Sequence, residues 1–98
     1  MAKTKIFDAA EYLDSSEAVA AYLSEAFETH DPSFITEAIG TVARARGMAA
    51  LAKETGLSRE NLYKALSSEG HPEFSTVMKV LGSLGVEIHA KPKAAKVA

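Results

Sequence analysis

Apolar residues recur at helical spacing through most of this 98-residue chain, and a few punctuation points divide the recurrence into five short helices. Asp14-Ser15-Ser16-Glu17 has capping-box order, with Glu17 three residues after Asp14, and predicts a helix from there to about Thr29. Ala18, Ala21, Tyr22, Glu25 and Ala26 share one of its faces, with Val19, Leu23 and Phe27 beside them. His30-Asp31-Pro32 stops the chain. Asp31 caps the next helix, and Pro32 sits in its first turn, where a missing N–H is harmless. Phe34, Ile35, Ala38, Ile39, Val42 and Ala43 form the stripe of this second helix down to Arg46, and Gly47 closes it as a left-handed cap.

MAALAKETGLSRENLYKAL, residues 48–66, reads as two helices meeting at one glycine. Met48–Thr55 turns Leu51 and Ala52 inward, and Gly56 takes the positive φ of a tight turn. Leu57 plugs the angle between the helices, and Ser58 caps the second. Within Arg59–Leu66, residues Leu62, Ala65 and Leu66 face the core, which leaves Arg59, Glu60, Tyr63 and Lys64 outward.

After the turn at residues 68–72, Phe74 staples a fifth helix that Ser75 caps. It carries Val77, Met78, Val80, Leu81 and Leu84 and ends at Gly85. Met48 and Met78 read as core filler. Residues 86–90 alternate apolar and polar, a weak strand signal that needs a partner strand, most simply from a second subunit. The expected fold class is therefore all-α, five helices with an optional short C-terminal β-strand at a dimer interface. Residues 1–13 read as an N-terminal arm, 14–90 as one domain with the helix-turn-helix unit at about 48–67, and 91–98 as a flexible tail.

Composition agrees with helices. Hydrophobic residues make up 47% but aromatics only 7%, with much alanine, whereas a sheet sandwich draws on β-branched and aromatic residues. The absence of cysteine excludes disulfides and thiolate chemistry. No apolar run reaches the roughly 18 residues of a membrane span, so a soluble, cytoplasmic protein is expected. The net charge of −2 argues weakly against nucleic acid until it is divided. Residues 1–43 hold two lysines against eight acids, and residues 44–98 hold nine Lys and Arg against five acids. One half is suited to an anion, the other to something else.

Helix-turn-helix geometry requires a small residue where the helices cross (Ala52), a turn glycine (Gly56), and apolar locks (Leu51, Leu57, Leu62, Ala65), all present at the right spacing. On the outward face of the second helix, Arg59 and Lys64 are suited to guanine O6/N7 and Glu60 to a cytosine amino group. Ser58, Tyr63 and Ser67 offer donors to phosphate oxygens, and Lys53, Arg44 and Arg46 add charge toward the DNA backbone. One such helix reads only a few base pairs, so a homodimer on a palindromic operator is expected, with half-sites about 34 Å apart. Leu84, Val86 and Ile88 are the candidate interface. The competing reading is a structural bihelical unit in a protein-interaction module, with Glu60 and Lys64 as a plain surface pair. Catalytic motifs are missing, and His30, His71 and His89 are far apart in sequence, so neither an enzyme, nor a cofactor, nor a metal site is expected.

GMAALAKETGLSRENLYKAL followed by HPEFSTVMKVLGSLGVEI resembles the Cro/cI-type helix-turn-helix regulators. More closely, together with YLDSSEAVAAYLSEAFETHDP and FITEAIGTVARARGMAALA, it resembles the probable addiction-module antidote proteins, also described as prophage DNA-binding proteins. The likeness spans about residues 7–90. It implies a bacterial antitoxin that dimerises, represses its own operon at the nucleoid, and neutralises a small RelE/ParE-like toxin encoded beside it. A transcriptional repressor without a toxin is the alternative. Such toxins are expected to be basic, which makes the acidic half, with Phe7, Tyr12 and Tyr22, the candidate toxin-facing surface.

Overall fold

Leu23, Ile39, Leu51, Leu62, Leu66, Leu81 and Leu84 converge from along the whole chain with no more than 1% of their surface exposed. They bring five helices together in a computed structural model that describes residues 13–94. The helices are α1 (Ser16–Glu28), α2 (Pro32–Arg46), α3 (Met48–Thr55), α4 (Arg59–Ala65) and α5 (Phe74–Ser83). α1 packs on α2, α2 on α3, and α3 on both α4 and α5, so α3 is the hub of the bundle. Among the described residues, no helix is long and apolar enough to cross a membrane. The expected arm falls almost wholly outside the described residues. Leu13, at its end, lies half-buried against the core.

Helix starts follow the local chemistry at α2, α3 and α4 and are displaced at α1 and α5. Asp31 caps α2 by accepting from the backbone N–H of Ser33 (3.1 Å) and Phe34 (3.4 Å), with Pro32 at the first helical position. At α1 the cap is Ser15, whose hydroxyl accepts from Ala18 N–H at 3.1 Å, and not Asp14. The buried face of α1 is also rotated from the expected one, to Val19, Leu23 and Ala26. Branched side chains hide more apolar area than alanine, so the helix rolls them inward and leaves Ala21 and Glu25 in solvent.

Five expectations are corrected by packing. Gly47 has φ 115° and ψ 114°, outside the left-handed helical region, because it ends α2 and opens α3 at the same residue. Phe74 is 71% exposed and staples nothing, and Ser75 lies inside α5, whose extended N-cap is Glu73. Val77, Val80, Leu81 and Leu84 hold the core-facing positions of α5, so Met78 falls outside and is no core filler. Residues 86–90 form no strand. Alternation makes a strand only when a second chain segment completes the ladder, and among the described residues none does so.

Candidate nucleic-acid interface

The α3–α4 junction is built by short-range hydrogen bonds that leave little room for play. Gly56 adopts φ 79° and ψ 6°, a left-handed conformation costly to any residue with a Cβ, and its N–H closes α3 on Ala52 O at 2.9 Å. Thr55, which sequence reasoning passed over, ties the turn twice. Its hydroxyl donates to Leu51 O (2.7 Å) and accepts from Leu57 N–H (3.3 Å). Such back-bonding is a known habit of threonine near a helix end, and that was the available signal. Leu57 is half-buried against the core, and Ser58 then caps α4 by accepting from Asn61 N–H at 3.0 Å. Leu51 and Leu62 are fully buried, and Ala52 and Ala65 half-buried, as two close-crossing helices require.

The far end of α4 is held by α2. Gly40, midway along α2, sits directly against the Leu66 carbonyl, and Ser33 Oγ donates to Ser68 O at 2.7 Å. Neither contact is legible from local pattern, because each joins residues more than twenty-five positions apart. The orientation of α4 is thus fixed at both ends. Ser58 and Gly56 set one, and Leu66 against Gly40 sets the other.

Arg59, Glu60, Tyr63 and Lys64 are all exposed on the solvent side of α4. Glu60 and Lys64 stand four residues apart but make no ion pair. Among the described residues the ion pair formed is His89 with Glu87, at 2.9 Å on the surface. Cationic and hydrogen-bonding groups on α4 therefore remain available to an outside partner. Ser58 is exposed, but its hydroxyl already serves as the cap, and the Ser67 hydroxyl donates to Lys64 O at 3.1 Å. Lys53 is exposed on α3. Arg44 is exposed on α2, with Nη2 donating to Thr41 Oγ1 at 3.4 Å. An open groove of about 580 Å³ lies beside α4, and Asn61, Lys64, Ser67, His71, Glu73 and Thr76 are among the residues that line it.

Arg46 has a different occupation. Its guanidinium donates to Ser83 O (3.0 Å) and Leu84 O (3.3 Å), the open carbonyls at the end of α5, while Ser83 Oγ donates to the Glu54 carboxylate. A cation at a helix C-terminus satisfies orphan acceptors and opposes the helix dipole. Arg46 therefore joins the ends of α2 and α5. Arg46→Ala is expected to lower stability by roughly 1–2 kcal/mol in urea unfolding. An unchanged midpoint would show that the clamp contributes nothing.

The remaining expected site residues divide by burial. Leu84 is fully buried within the subunit and Val86 half-buried against the core, so of the three interface candidates only Ile88, 43% exposed, lies substantially on the surface. In the acidic half, residues 13–43 contain six carboxylates and no Lys or Arg. Tyr22 there is half-buried in the core, while Phe27 (37%) and Phe34 (49%) stand exposed. Phe7 and Tyr12 lie outside the described residues. Among the described residues, no three His, Asp or Glu side chains come close enough to hold a metal ion.

Comparison with known proteins adds a family. The model of a family described as "probable addiction module antidote protein" matches residues 3–92. An uncharacterized protein of Haemophilus influenzae is 45% identical over 87 residues, covering 89% of this chain and 90% of its own length. No solved structure matches the chain.

Proposed function

Because the chain belongs to the family of probable addiction module antidote proteins, we propose that it is a DNA-binding antitoxin, without enzymatic activity, that represses its own operon and neutralises a RelE/ParE-like toxin. The α3–α4 unit acts as a Cro/cI-type helix-turn-helix, with α4 in the major groove of a palindromic operator. Arg59, Glu60 and Lys64 read base edges. Tyr63, Ser58, Lys53 and Arg44 hold the phosphate backbone, with Ser67 joining them when its hydroxyl turns from Lys64 O to a phosphate, whereas Arg46 serves the fold. The observation that carries this reading is the exposed, unpaired Arg59/Glu60/Tyr63/Lys64 face on a helix fixed at both ends. The protein works in the cytoplasm, at the nucleoid when it is on DNA.

The acidic half faces the toxin. Six carboxylates with no compensating Lys or Arg across residues 13–43 suit a basic protein, and Phe27 and Phe34 supply apolar contact within that field. The test has two arms. In gel shifts on the DNA upstream of its own gene, affinity is expected to fall steeply with salt, as phosphate neutralisation requires. In co-expression, the protein is expected to rescue growth from the toxin of the neighbouring gene and to co-purify with it. Salt-insensitive or absent DNA binding removes the repressor role, and failure to rescue or co-purify removes the toxin partner.

A further inference from the structure

Asn61 stands on α4 with no task for its side chain in the fold and none in the DNA contacts assigned so far. It is exposed, and it lines the open groove beside α4 together with Lys64. At roughly 100° per residue, Lys64 and Glu60 point most directly away from the buried Leu62 and Leu66, and Asn61 lies roughly 60° around the helix from Lys64. Tyr63 and Arg59 lie roughly 100° and 140° from Lys64. Asn61 is therefore nearer the centre of the outward face than either of them.

The local chemistry does not use its amide. The backbone N–H of Asn61 donates to Ser58 Oγ at 3.0 Å, which is the first half of a capping box. In a complete box the side chain at this position bonds back to the N–H of the cap residue. Among the described residues the Asn61 amide makes neither that bond nor any other. Glu or Gln would close the box, and both are better helix formers than Asn. Asparagine in the third position of a seven-residue helix thus gives up local stability. What it supplies instead is a short amide in solvent that carries a donor and an acceptor side by side.

That pair matches one base. In the major groove adenine presents the N7 acceptor beside the N6 amino donor, and an asparagine amide engages both at once. Guanine presents two acceptors there, and a phosphate presents acceptors only, so each would leave the amide oxygen unused. Arg59 and Lys64 are suited to guanine and Glu60 to cytosine, a set that leaves every A·T pair unread. We propose that Asn61 reads an adenine in each operator half-site, donating from Nδ2 to N7 and accepting at Oδ1 from the N6 amino group. The assignment rests on the DNA-reading function proposed above and adds a base to it.

The test replaces each operator adenine in turn by 7-deazaadenine, which lacks the N7 acceptor and keeps Watson–Crick pairing. The parent protein is expected to lose at least fivefold in affinity at one adenine of each half-site. Asn61→Ala is expected to bind the unmodified operator at least tenfold more weakly and to be indifferent to that replacement. Its thermal midpoint should be no lower than the parent's, because alanine is the better helix former and the backbone N–H at position 61 still serves the Ser58 cap. Equal sensitivity of Asn61→Ala and the parent at every adenine would overturn the assignment. So would a loss of affinity spread evenly over all DNA sequences, the signature of a phosphate contact. Absence of salt-sensitive DNA binding by the parent sinks the DNA reading and this assignment with it, whereas operator binding without the coupling to adenine sinks this assignment alone.

Discussion

Gly40→Val is expected to leave the chain largely unfolded at 25 °C. Gly40 lies in the middle of α2, where any residue could adopt the backbone angles, so its role is one of space. A Cβ there would overlap the Leu66 carbonyl oxygen and approach the Leu66 carbonyl carbon to 3.3 Å. The obstacle is backbone at the end of α4, and no rotamer change relieves it. α2 must lift away, which would uncover Leu66 and Leu62, both fully buried. Overpacking by a single methylene typically costs about 1–3 kcal/mol, and valine adds a methyl pair beyond the first carbon. A domain of this size has only about 5–10 kcal/mol in total. Ala45→Val, at an exposed position of the same helix, should cost about 0.5 kcal/mol through helix propensity alone. Urea titration followed by circular dichroism separates the two. A Gly40→Val midpoint close to that of Ala45→Val would mean that α2 and α4 do not touch as described.

The second large effect is on operator affinity. Removing Arg59 and Lys64 together should weaken specific binding by roughly 2–6 kcal/mol, or about 30-fold to 10⁴-fold, at about 1–3 kcal/mol for each base edge no longer read. Both side chains are exposed, so the thermal midpoint should stay within a few degrees of the parent. Lys53→Ala provides the contrast. Without its ammonium group against a phosphate, binding should weaken alike on all DNA sequences, and the salt slope should fall by about one. If the Arg59/Lys64 double variant also weakened uniformly, with a shallower salt slope and no change in preferred sequence, those residues would be holding the DNA backbone. α4 would then not be the reading element.

These effects show where local and long-range information part. Asp31 with Pro32, Gly56 and Ser58 act within a few residues of themselves, so the caps and the turn they form are legible in the order of letters. The same holds for the outward set on α4, since helical spacing alone puts Arg59, Glu60, Tyr63 and Lys64 on the side opposite Leu62. Thr55 was visible too, but a threonine at a helix end has several uses, and only the turn geometry selects one. Arg46 shows the opposite case. A last-turn cation is suited equally to DNA phosphate and to a neighbouring helix end, and the choice depends on where Ser83 and Leu84 come to rest.

From its letters alone, this chain determined that it would be helical, where four of its five helices begin and end to within a residue or so, and which side chains of α4 stay wet. Periodicity and capping are local properties, decided over three or four residues. Tertiary structure decided which of two apolar flanks a helix buries. It turned Val19 and Leu23 of α1 inward in place of Ala21, and left Phe74 and Met78 of α5 in solvent. It also decided that Leu84 belongs to the core and that Gly40 is the point where α2 meets the end of α4. Burial is shared among helices far apart in sequence, and the area hidden by one side chain depends on what the others have already filled.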